Sequence, residues 1–367
     1  MQKLRIYRVK SALPRGTKHI DALGSALGEL FFIEHPRLYK SDPRAKALLA
    51  AYRKKSRIKS VWAYYPWRRT AVRIPEERAY FRLRTARNRD LITTQEQSAY
   101  RRAVVGVAGL SVGSAAVASI VATGGPRRLK IADPDIIEIT NLNRIHATLL
   151  DIESNKALVS AQAVWEVDPF AEIDIWPQGI HQTDVETFIS GAPKLTVFVD
   201  EMDDIGMKFA CRAACRAARV PVLMATDNGD SIIIDVERFD LEPKRAIFHG
   251  RVPLPQGDMG QLSRSQFVAL ANQIIDPAYF TKRQQQSILG IGKHLAGIAQ
   301  IATAAAIAGA AIAFAVRRIA NKQALPSGRY VMGCEQTFIP GLDSAKAHRA
   351  RTAGTRAFIK AMSSSSR

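Results

Sequence analysis

Residues 103–144 read AVVGVAGLSVGSAAVASIVATGGPRRLKIADPDIIEITNLNR, and this stretch decides the fold. Residues 103–107 form a short apolar run rich in β-branched side chains, suited to a strand buried on both faces. The turn at 108–114 follows, then an alanine-rich helix to about Thr123, stopped by Gly124-Gly125-Pro126. A second apolar run, 129–132, delivers Asp133 at its carboxyl end. A strand, glycine turn, helix, strand and acid in this order set phosphates on a helix N-terminus and a ribose on the acid, so the unit points to a nucleotide.

Beyond Arg144 the alternation continues. The periodicity predicts helices over 155–167, 184–190 and 205–219, and strands over 172–176, 195–199, 221–225 and 231–236, with Asp200 closing the strand at 195–199. Such alternation makes the fold class α/β, a Rossmann-like, doubly wound and mostly parallel sheet. Residues 295–316 are apolar for long enough to span a bilayer, but alanine dominates and Gln300 interrupts. A helix apolar on all sides also suits a core or a dimer interface, and no membrane association is expected.

The chain has 367 residues and a formal charge of +20, which is unevenly placed. Residues 1–102 hold 25 Lys and Arg against 8 Asp and Glu, a net +17, whereas 103–367 hold 28 against 25, a net +3. The basic character belongs to an N-terminal extension. We divide the chain into this extension (1–86), a nucleotide-binding domain (87–343) and a basic, serine-rich tail (344–367) expected to be disordered. The extension shows amphipathic helical patterns at 22–33 and 42–52, then a basic run and the aromatic stretch VWAYYPWRR at 61–69. Aromatics among arginines can stack on nucleic-acid bases, but packing of the extension onto the main domain is the favoured reading. Thr93 or Thr94 is placed to cap a helix leading into the first strand of the domain, with Glu96 or Gln97 as capping-box partner. Three cysteines, Cys211, Cys215 and Cys334, supply neither a disulfide framework nor a CxxC pair for zinc, and all three read as structural. No apolar core follows the N-terminal charges, so the expected location is cytoplasmic.

The stretch from Val104 to Asp200 resembles the adenylation domain of the E1-like superfamily, which includes ubiquitin-activating enzymes and the ThiF-type activators of thiamine and molybdopterin sulfur carriers. The resemblance rests on Gly109 and Gly113, Asp133-x-Asp135, Asn141-x-x-Arg144, Lys156 and the strand-end Asp200, in matching order over roughly 100 residues. It implies ATP-dependent activation of a carboxylate, with an acyl-adenylate formed and pyrophosphate released. The implied roles are phosphate binding by the Gly109–Gly113 turn (Ser111 included), ribose binding by Asp133 beside Asp135, and β- and γ-phosphate binding by Asn141 and Arg144. Lys156 adds a point charge, and Asp200 ligates Mg²⁺. It also implies a homodimer in which an arginine ahead of the first strand, Arg87 or Arg89, reaches the partner's site.

Two departures bear on function. Leu110 and Ser111 stand where the family turn is richer in glycine, which weakens the expected approach to phosphate. No cysteine lies between Arg216 and Gly333, so adenylation of a protein or peptide C-terminus without a thioester step is the leading expectation. A degenerate fold serving as a binding module is the alternative. An NAD(P)- or FAD-dependent oxidoreductase would fit the glycine turn but leaves Asn141, Arg144 and Asp200 without a use.

Overall fold

Two sheets divide the chain. The computed structural model describes residues 3–252, 264–341 and 344–365. The N-terminal lobe holds β1 (Arg5–Tyr7), β2 (Lys18–Asp21), α1 (Leu23–Glu34), α2 (Pro43–Lys55), β3 (Ser60–Tyr65), β4 (Thr70–Pro75) and α3 (Glu77–Arg84). Its strands lie in the order β1-β3-β4-β2, antiparallel except for the parallel pair β2–β4. Trp62, Tyr64 and Tyr65 of the aromatic stretch are buried in this sheet. Asp42 caps α2 by accepting from the Arg44 amide at 2.9 Å.

The main domain opens with α4 (Thr94–Arg102), whose capping box is Thr93 with Glu96. There follow β5 (Val104–Ala108), α5 (Val112–Ala122), β6 (Arg128–Ala132), α6 (Lys156–Val167), β7 (Glu172–Trp176), α7 (Val185–Ser190), β8 (Val197–Asp200), α8 (Ile205–Ala218), β9 (Val222–Asn228) and β10 (Ser231–Glu237). After these come α9 (Arg264–Ile275), α10 (Lys282–Gly290), α11 (Ala302–Ala320), β11 (Gly328–Gly333), α12 (Cys334–Phe338) and α13 (Ala345–Ser365). The sheet order is β11-β10-β9-β8-β5-β6-β7. The five strands from β9 to β7 run parallel, and β10 and β11 add antiparallel at one edge. β5 and β8, at the centre, are buried on both faces, as their unbroken apolar runs require.

α11 is a core helix. Its face of Ala304, Ala305, Ala308, Ile312 and Val316 is buried against α5 and the sheet. Gly309 permits the close approach, since a Cβ there would lie 2.5 Å from the Ala115 carbonyl oxygen. The helix is shorter than its apolar run: residues 295–301 are not helical. Hydrogen bonds explain this in part, because the Gln300 carbonyl accepts from Asn143 Nδ2 (2.7 Å) and its side-chain amide donates to Asp227 (3.1 Å).

The extension is fastened to the end of α6. Glu166 accepts from Trp67 Nε1 at 2.6 Å and Arg68 Nε at 2.9 Å, and Tyr80 donates to the Val167 carbonyl at 2.8 Å. Arg84 and Arg101 converge on buried Asp168. The aromatic stretch thus packs lobe onto domain. The expected disorder of the tail is corrected: it forms α13, with Phe358 buried beside Phe280 and Thr355 accepting from Gln285 Nε2 at 3.1 Å. Cys211 and Cys215 are buried as expected, but Cys334 is exposed.

Candidate functional site

From β5 the chain steps outward through β6 to β7, then returns to add β8 on the other side of β5. The two crossovers diverge at the carboxyl ends of β5 and β8, the switch point where open α/β sheets bind ligands. A cavity of about 510 Å³ lies there. One wall carries Ser111 and Val112 at the start of α5, with Arg144 and Lys156. The other carries Glu201, Asp203 and Lys208 after β8, with Thr226 and Asp227 at the end of β9. Ile274 and Ile275 of α9, Phe280 and Ile298 supply an apolar side.

The turn after β5 needs glycine at 109. Its φ is +84°, and a Cβ would fall 2.2 Å from the Glu201 carbonyl oxygen. The Gly109 amide donates to Ala132 O (2.9 Å) and the Leu110 amide to Asp133 (2.6 Å), so neither faces a phosphate. Leu110 is fully buried, and its φ is not positive. Gly113 sits in the first turn of α5, close under Val107. That first turn still offers the amides every helix start leaves unpaired.

Ser111 accepts from Arg144 Nε at 3.1 Å, which joins the start of α5 to the loop carrying the arginine. Arg144 also donates to Thr140 O (3.2 Å) and Asn143 Oδ1 (2.9 Å). Burial lowers its pKa, opposed by the charges of Asp227 and Asp203. Lys156 opens α6 and is mostly buried, its ammonium 2.8 Å from Asp135. Ser111, Arg144 and Lys156 all line the cavity, with Ser111 and Arg144 bonded to each other.

The other expected residues stand behind that wall. Asp133 is buried, and its two oxygens accept from the amides of Leu110 (2.6 Å) and Asp135 (2.8 Å). Burial raises its pKa against these two bonds. Asn141 accepts from the Glu138 amide at 3.1 Å and shapes the loop that ends in Arg144. Gly109, Gly113, Asp133, Asp135 and Asn141 do not line the cavity. Arg87 and Arg89 are exposed and do not line it either.

The metal role expected of Asp200 is corrected. Its carboxylate is fully buried and ion-paired with Arg212 and, at 3.2 Å, with Lys208; the Met202 amide adds a bond at 3.2 Å. Burial works against its charge, but Lys208 and Arg212 outweigh it and hold the pKa below the ordinary value. Arg212 spans to Glu237 at 2.7 Å and stacks on Phe248 at 4.1 Å. This cluster anchors β8, α8 and β10 to one another.

Among the described residues the acids that line the cavity are Asp203, Glu201 and Asp227, none of which motif matching singled out. Asp203 is exposed on its rim. Glu201 is held well above the ordinary carboxyl pKa by burial, although it accepts from the Ala225 amide at 2.8 Å. Asp227 sits at the end of β9 as Asp200 does at the end of β8, so a search for strand-end acids could have found it. Among the described residues no cluster of three or more His, Cys, Asp or Glu could hold a metal alone. Magnesium bound through one or two carboxylates and substrate phosphates needs no such cluster, and Asp203 is the accessible carboxylate that fits.

The sequence profile of the ThiF family matches residues 85–331. The chain belongs to the ThiF family. In a separate comparison, 269 residues are 39% identical to the uncharacterized protein MT1398 of Mycobacterium tuberculosis (strain CDC 1551 / Oshkosh), over 73% of this chain and 37% of that protein. This ThiF-family chain thus spans little more than a third of that relative's length. Two solved Escherichia coli structures are similar. MccB with MccA-N7isoASN has 18% identity and a TM-score of 0.48, over 65% of this chain and 63% of that one. The tRNA N6-threonylcarbamoyladenosine dehydratase TcdA in complex with AMP has 18% identity and a TM-score of 0.47, over 66% and 96%. Within the ThiF-family frame, the doubly wound α/β fold is as the sequence implied.

Proposed function

We propose that this ThiF-family chain uses ATP to adenylate a carboxylate, that of a protein or peptide C-terminus. The observation that carries the reading is the joining of the α5 N-terminus, Arg144 and Lys156 at one wall of the switch-point cavity. Phosphate charge would be neutralised there by a fork, a point charge and a helix dipole. The acyl carboxylate attacks the α-phosphorus, the bond to the bridging oxygen breaks, and pyrophosphate leaves with its electron pair. For this step the protein supplies position and charge rather than covalent chemistry. Magnesium, carried by the nucleotide and held through Asp203, would supply further neutralisation.

A thioester step has no support in the cysteines. Burial pushes Cys211 up to about 12 and Cys215 well above the ordinary thiol value, and Cys334 does not line the cavity. The working unit we propose is a cytoplasmic homodimer, to be checked by light scattering on the purified protein. A nicotinamide or flavin reaction would leave the Arg144 and Lys156 wall without a use.

Pyrophosphate–ATP exchange tests the proposal. Exchange should depend on Mg²⁺ and a cognate carboxylate, and Arg144→Ala should lower it on the order of 10²- to 10³-fold. A variant with undiminished exchange removes Arg144 from the site. One observation favours the binding-module reading instead: the Gly109 and Leu110 amides are engaged within the protein. Failure of AMP to bind in calorimetry, with salt-sensitive binding of a polyanion, would select it.

A further inference from the structure

Among the described residues the buried acids are matched, with one exception. Asp200 is met by Lys208 and Arg212, and Asp235 by His249 at 2.9 Å and Arg329 at 2.7 Å. Asp227 is only 7% exposed and lines the cavity. Its Oδ2 accepts from Gln300 Nε2 at 3.1 Å, whereas its Oδ1 is closed off from solvent with no hydrogen-bond partner among the described residues. Buried polar atoms almost always have partners, and an unmatched carboxylate oxygen is costly. Arg144 attracts Asp227 only at a distance: its Nε and Nη1 go to Ser111, Thr140 and Asn143, and among the described residues no hydrogen bond or ion pair joins it to Asp227. Burial pushes Asp227 up to about 6, which still leaves it largely ionised at neutral pH. What it lacks is a hydrogen-bond donor, and because Asp227 lines the cavity, a donor bound there can meet it once the carboxylate turns toward that side.

A phosphate cannot fill the role, since like charges repel. The neighbouring wall of Ile274, Ile275, Phe280 and Ile298 is apolar. Resting on the adenylation reading, we propose that Asp227 determines the acyl substrate: it accepts from a nitrogen next to the reacting carboxylate, while an apolar side chain occupies the adjoining wall. The shared chemistry is an α-nitrogen donor. A free amino acid offers it as an ammonium, and the last residue of a peptide offers it as an amide.

Three non-hydrolysable adenosine acyl-sulfamates separate these cases by calorimetry on the full chain in EDTA. Their acyl groups are leucyl (ammonium), N-acetylleucyl (amide N–H) and 4-methylpentanoyl (no nitrogen), and AMP reports the nucleotide half alone. At least one nitrogen-bearing probe should bind on the order of 10- to 100-fold tighter than the 4-methylpentanoyl probe, the range of a hydrogen bond to a charged group. Preference for the leucyl probe identifies an amino acid, and preference for the acetylated probe a peptide end. Asp227→Leu should bring the ratio to about one. Asp227→Asn, which keeps the shape and one acceptor, should abolish a preference for ammonium and retain part of one for amide. Equal binding of all three probes, or a preference that persists in a folded Asp227→Leu protein, overturns the assignment and leaves the adenylation reading intact. An equal loss of AMP in Asp227→Leu also overturns it, since Asp227 then reads the nucleotide. If AMP fails to bind the unaltered protein, the adenylation reading falls and takes this one with it.

Discussion

The two flanks of the crevice satisfy their polar groups in opposite ways. On the β5–β6 flank, Asp133 holds the Leu110 and Asp135 amides, Asp135 holds Lys156, and Ser111 holds Arg144, so each group is set before any ligand arrives. On the β8–β9 flank, Glu201 and Asp227 are pushed toward their neutral forms by burial, and Asp227 keeps one oxygen unmatched. A flank whose groups bind one another is preorganised scaffold. One that carries unmatched charge stores a demand that a ligand can meet. The second arrangement costs stability in the free protein, in keeping with the common trade between stability and function.

The largest expected effect comes from breaking the support beneath the unmatched flank. Arg212→Leu leaves buried Glu237 without an ion pair and buried Asp200 with Lys208 alone, and should cost about 3–5 kcal/mol in urea denaturation. A loss below about 1 kcal/mol would mean that the cluster carries no net load.

Asp227→Asn sharpens the comparison with the opposite sign. The folded pKa of about 6 lies above the ordinary 3.8, so ionisation opposes folding and the penalty is complete above pH 6. The substitution should stabilise the free protein by about 1–3 kcal/mol at pH 8. The gain should shrink as pH falls through 6 and be nearly gone by about pH 4. A melting temperature lower than that of the unaltered protein across this range would show that Asp227 is matched after all.

Glu166→Ala gives the smallest effect, because its partner Arg68 is exposed and Trp67 is only partly buried. Loss of the two bonds should cost about 1 kcal/mol and loosen the lobe first, seen as faster amide exchange in β3 and β4 with little change in β5. Equal acceleration in both sheets would show that they unfold as one.

The contrast between flanks also marks what could be read from the chain. The β5–β6 flank was legible because its partners are close in sequence: a strand, a turn, a helix and an acid occupy residues 103–133, and Arg144 and Lys156 follow soon after. The β8–β9 flank depends on contacts between distant segments. Strand-end position alone could not show that Asp200 turns inward to Arg212 while Asp203 stays at the rim, because both follow the same apolar run. Asp227 owes its character to burial, and its hydrogen-bond partner Gln300 lies 73 residues away. In the extension, β2 has four exposed residues and no alternation, and its parallel partner β4 lies some 50 residues on, so only the pairing reveals it. The tail was illegible for a related reason: its helix is defined by where Phe358 and Thr355 dock.

α6 begins at Lys156 in the cavity wall and ends beside Glu166, where Trp67 and Arg68 grip it. Its 12 residues make a rod about 18 Å long. One helix thus ties the cationic lobe to the cavity wall that carries the Lys156 ammonium, so the lobe's anchorage is also that wall's.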